Sequence, residues 1–175
     1  MRTLSKKICL VGDFGVGKTS LIRRFVEGQF SDQYLSTVGV KISRKTIQLT
    51  EEIAKETLKL QLMIWDLEGH TKFKSIAPSY LQGASGVIIV ADLTRPETVK
   101  RIAEHVKLFL SVNPKGSTII AALNKSDLLV PEKIVGTKEL EGIEQILAIY
   151  QTSAKTGLNV DEIFHKLADS IVKSL

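Results

Sequence analysis

Apolar and polar positions change period repeatedly along the chain. Residues 7–11 (K-I-C-L-V) form a short, nearly continuous apolar run that reads as a strand. Between residues 19 and 27 the apolar positions Leu21, Ile22, Phe25 and Val26 recur at helical spacing, and Gly28 closes the segment. Residues 38–49 return to β-branched alternation. Leu58, Leu60, Leu62 and Ile64 then alternate with Lys59, Gln61 and Met63, which predicts a strand buried on one face. The polar stretch between these two, residues 50–57 (T-E-E-I-A-K-E-T), reads as a long hairpin connection. Residues 87–91 and 118–122 are continuous apolar runs, the kind covered on both faces in a parallel sheet. Residues 96–110 predict a helix with Val99, Ile102, Val106 and Phe109 on its apolar face, and residues 146–150 predict a final strand. Asn159 reads as the N-cap of a last helix, with Glu162 in capping-box position and Val160, Ile163, Phe164, Leu167, Ile171 and Val172 on the inner face.

Alternation of strand and helix predicts an α/β fold, a sheet with helices on both faces. No repeat, low-complexity segment or linker interrupts it, so residues 1–175 are expected to form one domain. At 175 residues such a domain buries about two thirds of its unfolded surface. No apolar run is long enough for a bilayer-spanning helix, and no signal-length stretch follows the basic start. The lone Cys9 excludes an intrachain disulfide. It lies within the first strand pattern as an inert buried thiol, which fits a reducing cytoplasm. The net charge of +5 is scattered rather than blocked and carries no aromatic interleaving, so no nucleic-acid partner is expected.

In an open α/β sheet, ligands bind beyond the carboxyl ends of the strands, and the motifs fall there. Residues 12–19 read G-D-F-G-V-G-K-T between the first strand and the first helix. This is the phosphate-loop pattern: glycines bring backbone N–H groups close to phosphate oxygens, Lys18 adds a point charge, and the Thr19 hydroxyl suits Mg²⁺. Asp66 and Gly69 in W-D-L-E-G-H end the third strand. The carboxylate suits a Mg²⁺ ion and the glycine suits close approach to a terminal phosphate, though D-x-x-G alone is weak. Asn124-Lys125-Ser126-Asp127 follows the run 118–123. The Asp127 carboxylate can accept two hydrogens from the guanine edge, which adenine lacks. Ser153-Ala154-Lys155 follows the last strand, where a backbone N–H can reach the guanine O6.

With those four motifs in order, the chain resembles the Ras superfamily of small GTPases, and its Rab-like group in K-F-K-S-I (72–76), Y-L-Q-G-A (80–84) and A-D-L-T (91–94). The resemblance covers residues 6–173. It implies a P-loop fold with a six-stranded, mostly parallel sheet, and a switch that binds GTP or GDP with Mg²⁺ and hydrolyses GTP. It places phosphates on Asp13, Phe14, Gly15, Val16, Gly17, Lys18, Thr19 and Ser20, with Lys18 and Gly69 acting on the reacting phosphate. It places guanine against Asn124, Lys125, Asp127, Leu128, Ser153, Ala154 and Lys155, and Mg²⁺ on Thr19, Thr37 and Asp66. Phe30 resembles the aromatic that packs on the base, with ordinary core packing as its alternative. Tyr34 resembles a tyrosine that closes over the γ-phosphate, or is an exposed loop residue. Effector, exchange and activating proteins are implied partners, and a monomer is expected.

Three positions depart from the family pattern beside the γ-phosphate. His70 stands where a glutamine usually orients the attacking water, which predicts slow unassisted hydrolysis that titrates near the ordinary histidine pKa of about 6.5. Glu68 replaces a small residue and brings an anion toward anions, so either the side chain turns away or Mg²⁺, Lys72 or Lys74 neutralises it; a weaker preference for GTP over GDP than in relatives is predicted, relieved by Glu68→Ala. Phe14 fills a position that is small in most relatives and should obstruct an arginine finger from a partner. The sequence given ends K-S-L without the cysteine that prenylation needs. The rival reading is a GTP-binding interaction module with little turnover. An ATP-using enzyme would leave N-K-S-D and S-A-K without a reason.

Overall fold

The computed structural model describes residues 2–51, 56–71, 75–113, 117–130 and 137–175. Strands β1 (Arg2–Gly12), β2 (Val40–Glu51), β3 (Glu56–Leu67), β4 (Gly86–Asp92), β5 (Thr118–Asn124) and β6 (Ala148–Gln151) form one sheet. Its order is β2-β3-β1-β4-β5-β6, with β2 antiparallel to β3 and every other pair parallel. The helices are α1 (Lys18–Glu27), α2 (Pro78–Leu81), α3 (Pro96–Lys100), α4 (Ile102–Val112), α5 (Thr137–Glu141) and α6 (Val160–Lys173). This is the six-stranded, mostly parallel α/β fold that the resemblance implied.

The apolar runs supply two cores at once because neighbouring strand residues face opposite ways. Ile8 and Leu10 of β1, Ile88 and Val90 of β4, and Ile120 and Ala122 of β5 pack under α1 and α6. Cys9 and Val11, Val87 and Ile89, and Ile119 and Ala121 pack under α2 to α5. Each fully buried Ile or Leu contributes about 1.5–3 kcal/mol, so both faces are strongly specified. On the first face the rings of Phe25 (α1) and Phe164 (α6) stack with centroids 4.1 Å apart and planes 5° from parallel.

Several elements differ from the pattern reading. β1 begins at Arg2, because its polar first residues continue the ladder with β3 (Arg2↔Leu58) without burying side chains. The hairpin arms also run further, pairing Thr50 with Thr57 and Glu51 with Glu56. Half of the expected connection is therefore strand, and residues 52–55 lie outside the described residues. The helix at residues 96–110 is two helices, parted at Arg101, and the second runs on to Val112. β6 starts at Ala148 rather than residue 146. Asn159 precedes α6 but forms no capping box. Its backbone is left-handed (φ 54°) and its side-chain amide donates to the Gln151 carbonyl at 2.8 Å instead. A capping side chain needs extended backbone at that position.

Candidate functional site

The carboxyl ends of the parallel strands open into a cavity of about 570 Å³. The loop between β1 and α1 forms its floor, residues 30–38 form one wall, and Asn124, Lys125, Asp127, Ala154 and Lys155 line the far end. The loop is held by its carbonyl oxygens. Lys18 Nζ donates to Gly12 O (3.2 Å) and Asp13 O (2.9 Å), Arg95 Nη2 to Phe14 O (2.6 Å), Lys125 Nζ to Gly15 O (2.8 Å), and Asn124 Nδ2 to Val16 O (3.0 Å). In a trans peptide the next residue's N–H points opposite to the carbonyl. Tying up the carbonyls of Phe14, Gly15 and Val16 therefore aims the N–H groups of Gly15, Val16 and Gly17 the other way. Gly17 (φ 101°) admits no side chain, since a Cβ would strike the Asn124 amide. Burial pushes Lys18 down to about 8, with Arg95 adding to that and Asp66 and Asp13 opposing it. The loop thus presents donors and a desolvated cation to an anion.

Three hydroxyl and carboxylate groups converge beside Lys18. Thr19 Oγ1 lies 2.7 Å from Thr37 Oγ1 and donates to Asp66 Oδ2 at 2.6 Å. Asp66 is buried, and burial raises its pKa, opposed by Thr19, Lys18, Lys41 and Thr37. Its second oxygen, Oδ1, is buried and has no hydrogen-bond partner among the described residues. A buried carboxylate oxygen in that condition costs about 1–3 kcal/mol or more. One carboxylate and two hydroxyls form the all-oxygen donor set that Mg²⁺ prefers, so these residues fit that ion.

At the far end, Asp127 is exposed to the cavity and oriented by Ser153, whose Oγ donates to Oδ1 at 2.7 Å. The Thr156 N–H donates to Ser153 Oγ in turn (3.1 Å). Asn124 Oδ1 accepts from Thr152 Oγ1 (3.1 Å) and from the Ala154 N–H (3.3 Å), which joins the ends of β5 and β6. Lys125 adopts φ 63°, and its ammonium also meets Asp92 Oδ2 at 2.8 Å. The Asp92 carboxylate is held below the usual range. Burial alone would raise it, but hydrogen bonds from Lys125 and Thr94 outweigh that.

The sequence profile of the Ras family matches residues 7–173. The chain belongs to the Ras family. It is 34% identical to human Ras-related protein Rab-22A over 166 residues, covering 94% of this chain and 82% of that protein. It is 34% identical to Ras-related protein Rab-13 of Mesocricetus auratus over 170 residues (96% and 81%), and 34% to GTP-binding protein ypt5 of Schizosaccharomyces pombe over 171 residues (97% and 79%). As a Rab-like member of the Ras family, it is a guanine-nucleotide-binding switch and a GTPase that works with Mg²⁺ and interacts with regulators and effectors. No helix among its described residues is long and apolar enough to cross a membrane.

In this GTPase the cavity collects most of the residues read from the sequence: Phe14, Gly15, Gly17, Lys18, Thr19, Ser20, Phe30, Tyr34, Thr37, Gly69, Asn124, Lys125, Asp127, Leu128, Ala154 and Lys155. Phe30 does two things, lining the cavity and packing on the core under α1. Val16 is fully buried, and the Asp13 side chain turns away to His105 Nε2 (3.1 Å) and Arg101 Nε (3.2 Å), so both face the cavity with backbone at most. Ser153 acts through Asp127.

One expectation about the departures is corrected, and for Glu68 the first of the alternatives is the one observed. His70 does not stand at the cavity. Its backbone is pinned to the phosphate loop (His70 N–H to Gly12 O, 3.0 Å; Phe14 N–H to His70 O, 2.9 Å), and its ring meets His105 edge-on at 5.7 Å. Gly69 makes that close approach possible, since a Cβ there would lie 2.5 Å from the Phe14 Cα. The Glu68 carboxylate turns from the cavity and accepts the Gly39 N–H, so the expected repulsion is relieved, whereas Lys72 and Lys74 lie outside the described residues. The exposed Phe14 ring meets Tyr34 edge-on, centroids 5.5 Å apart. Sequence reasoning missed Asp92, Arg95, Arg101 and His105. Asp92 falls in A-D-L-T (91–94), which marked the resemblance without assigning it a role, and Arg95, Arg101 and His105 belong to no short motif.

Proposed function

We propose that residues 1–175 act as a single-domain, monomeric switch at the cytoplasmic side of the cell, with slow unassisted hydrolysis. The observation that carries the site assignment is the meeting of Thr19, Thr37 and Asp66 around an unpartnered buried oxygen. A buried carboxylate oxygen left over beside two hydroxyls, from a helix, a loop and a strand, suits a bound cation. These three would hold Mg²⁺, which supplies charge neutralisation at the phosphates when bound.

The chain's own residues then divide the work. Lys18 and the N–H groups of Gly15, Val16 and Gly17 bind and orient the phosphates and oppose the charge that develops in transfer to water. Asp127, set by Ser153, reads the guanine edge, with Ala154 and Lys155 lining the same end of the cavity. Slow hydrolysis follows from His70, whose ring rests on His105 and leaves water unoriented. Exposed Leu35 and Val38 on the loop wall support regulator and effector contact there. Purified protein with Mg²⁺ should retain GTP and GDP far better than ATP, turn GTP over slowly in a single-turnover assay, and sediment as a monomer. Equal retention of ATP would defeat the guanine assignment.

A further inference from the structure

Lys125 and Asn124, which hold the loop carbonyls of Gly15 and Val16, belong to the guanine motif. The carbonyl of Phe14 is held by a residue outside every motif. Arg95 lies between β4 and α3, and its backbone is fixed on both sides: its N–H donates to Asp92 O (2.9 Å), and its own carbonyl accepts from Thr98 N (3.0 Å) and Thr98 Oγ1 (2.8 Å). Its side chain is fixed too. Nε donates to Asp92 Oδ2 at 3.2 Å while Nη2 donates to Phe14 O at 2.6 Å. A planar guanidinium can make both bonds at once, whereas a lysine ammonium on the same stem has neither the fork nor the fixed spacing.

We propose that Arg95 is a positioning residue for GTP hydrolysis, acting through the Phe14 carbonyl to hold the Gly15 N–H toward the reacting phosphates. The inference rests on the GTPase reading of the cavity. Because the peptide is trans, holding Phe14 O outward sets the direction of the next N–H. The guanidinium lies close to that peptide, since a Cβ on Gly15 would sit 3.6 Å from Nη2. Its charge is felt at both Lys18 and Tyr34, on either side of the loop. Asp92 anchors Arg95 and Lys125 together, so one carboxylate sets the clamps on two successive loop carbonyls.

The reaction shows where this matters. Hydrolysis forms a bond from water oxygen to the γ-phosphorus and breaks the bond to the oxygen bridging to the β-phosphorus. The electron pair stays with GDP, and the water protons leave on inorganic phosphate and solvent. Negative charge therefore grows on oxygens held by the loop, where an N–H fixed in advance is worth more than one that must reorient. Phe14 crowds the same rim against a partner's arginine, while Arg95 supplies a guanidinium from within the chain.

Arg95→Met and Arg95→Lys test this, with single-turnover hydrolysis of Mg²⁺–GTP read beside the release rates of GTP and GDP. Arg95→Met should slow hydrolysis by about tenfold or more, with release of both nucleotides changed by less than about threefold. Arg95→Lys, which keeps the charge beside Asp92, should fail to restore the rate. If Arg95→Met does not fold, Arg95→Lys decides alone. Hydrolysis within twofold of wild type, or a slower rate matched by an equal rise in nucleotide release, would overturn the proposal. Wild-type protein that retains no GTP would defeat the cavity's reading instead, which separates the two failures.

Discussion

Glu68 and Gly39 bond to each other twice. The Gly39 N–H donates to Glu68 Oε2 at 3.1 Å, and the Glu68 N–H donates to the Gly39 carbonyl at 2.8 Å. The pair extends the β2–β3 ladder one step past Val40↔Leu67, so the loop carrying Thr37 is tied to the segment carrying Gly69. Glu68→Ala should therefore speed amide exchange at Gly39 about fivefold to tenfold, the loss of roughly 1 kcal/mol for a partly solvated hydrogen bond. Glu68→Gln, which keeps an acceptor, should change it little. The ratio of GTP to GDP affinity should stay within about twofold of wild type, measured by competition. A large rise in that ratio would mean the carboxylate faces the phosphates after all.

His70→Ala should leave single-turnover hydrolysis within about twofold of wild type, and the rate should stay flat between pH 5.5 and 7, below the Lys18 value of about 8, because the ring lies on His105 rather than at the cavity. A rate that follows a histidine titration would place the ring over the nucleotide during turnover.

Removal of the metal should act through Asp66. Chelating Mg²⁺ from the wild type should speed nucleotide release at least tenfold, the scale of one lost charge-assisted contact. In Asp66→Ala release should already be fast, and chelation should add little. Fluorescent-nucleotide dissociation with and without chelator reads both.

Asp92 supplies a test by pH. Its folded pKa lies below the unfolded value, so the carboxylate contributes stability above about pH 4 that is lost as pH falls through the folded value. Asp92→Asn should lower the melting temperature by about 3–8 °C at pH 7, the equivalent of about 1–2 kcal/mol after allowing for the one-third exposure of Arg95 and Lys125. The gap from wild type should close as pH drops below 4. A gap independent of pH would mean the charge contributes nothing.

Burial pushes the Cys9 thiol up from 9.0 to about 12, against the opposing charge of Lys7. Above pH 9 the unfolded chain releases this proton and the folded chain keeps it, so stability should fall as pH rises through that window. Cys9→Ala should flatten the slope of chemical stability between pH 9 and 11. In native protein the thiol should resist alkylation at pH 8 and react once denaturant is added.

The parallel core was legible because β4 and β5 are continuous apolar runs, and the phosphate and guanine ends because their motifs are local in sequence. The limits of β1 and the hairpin arms were hidden, since backbone pairing extends strands through polar residues without changing the apolar pattern. Asn159 misled because a good capping residue also tolerates left-handed backbone. His70 and Glu68 were placed correctly along the chain, but the direction of each side chain depends on a partner distant in sequence, His105 and Gly39. Arg95 escaped notice for the same reason: its meaning lies in Phe14, some eighty positions away.

The stacked rings of Phe25 and Phe164 join the helix that begins with Lys18 and Thr19 to the last helix of the domain. The final helix is thus a brace for the nucleotide grip. A chain cut short before residue 160 would forfeit that brace and, with it, the steady seat from which α1 meets the phosphates.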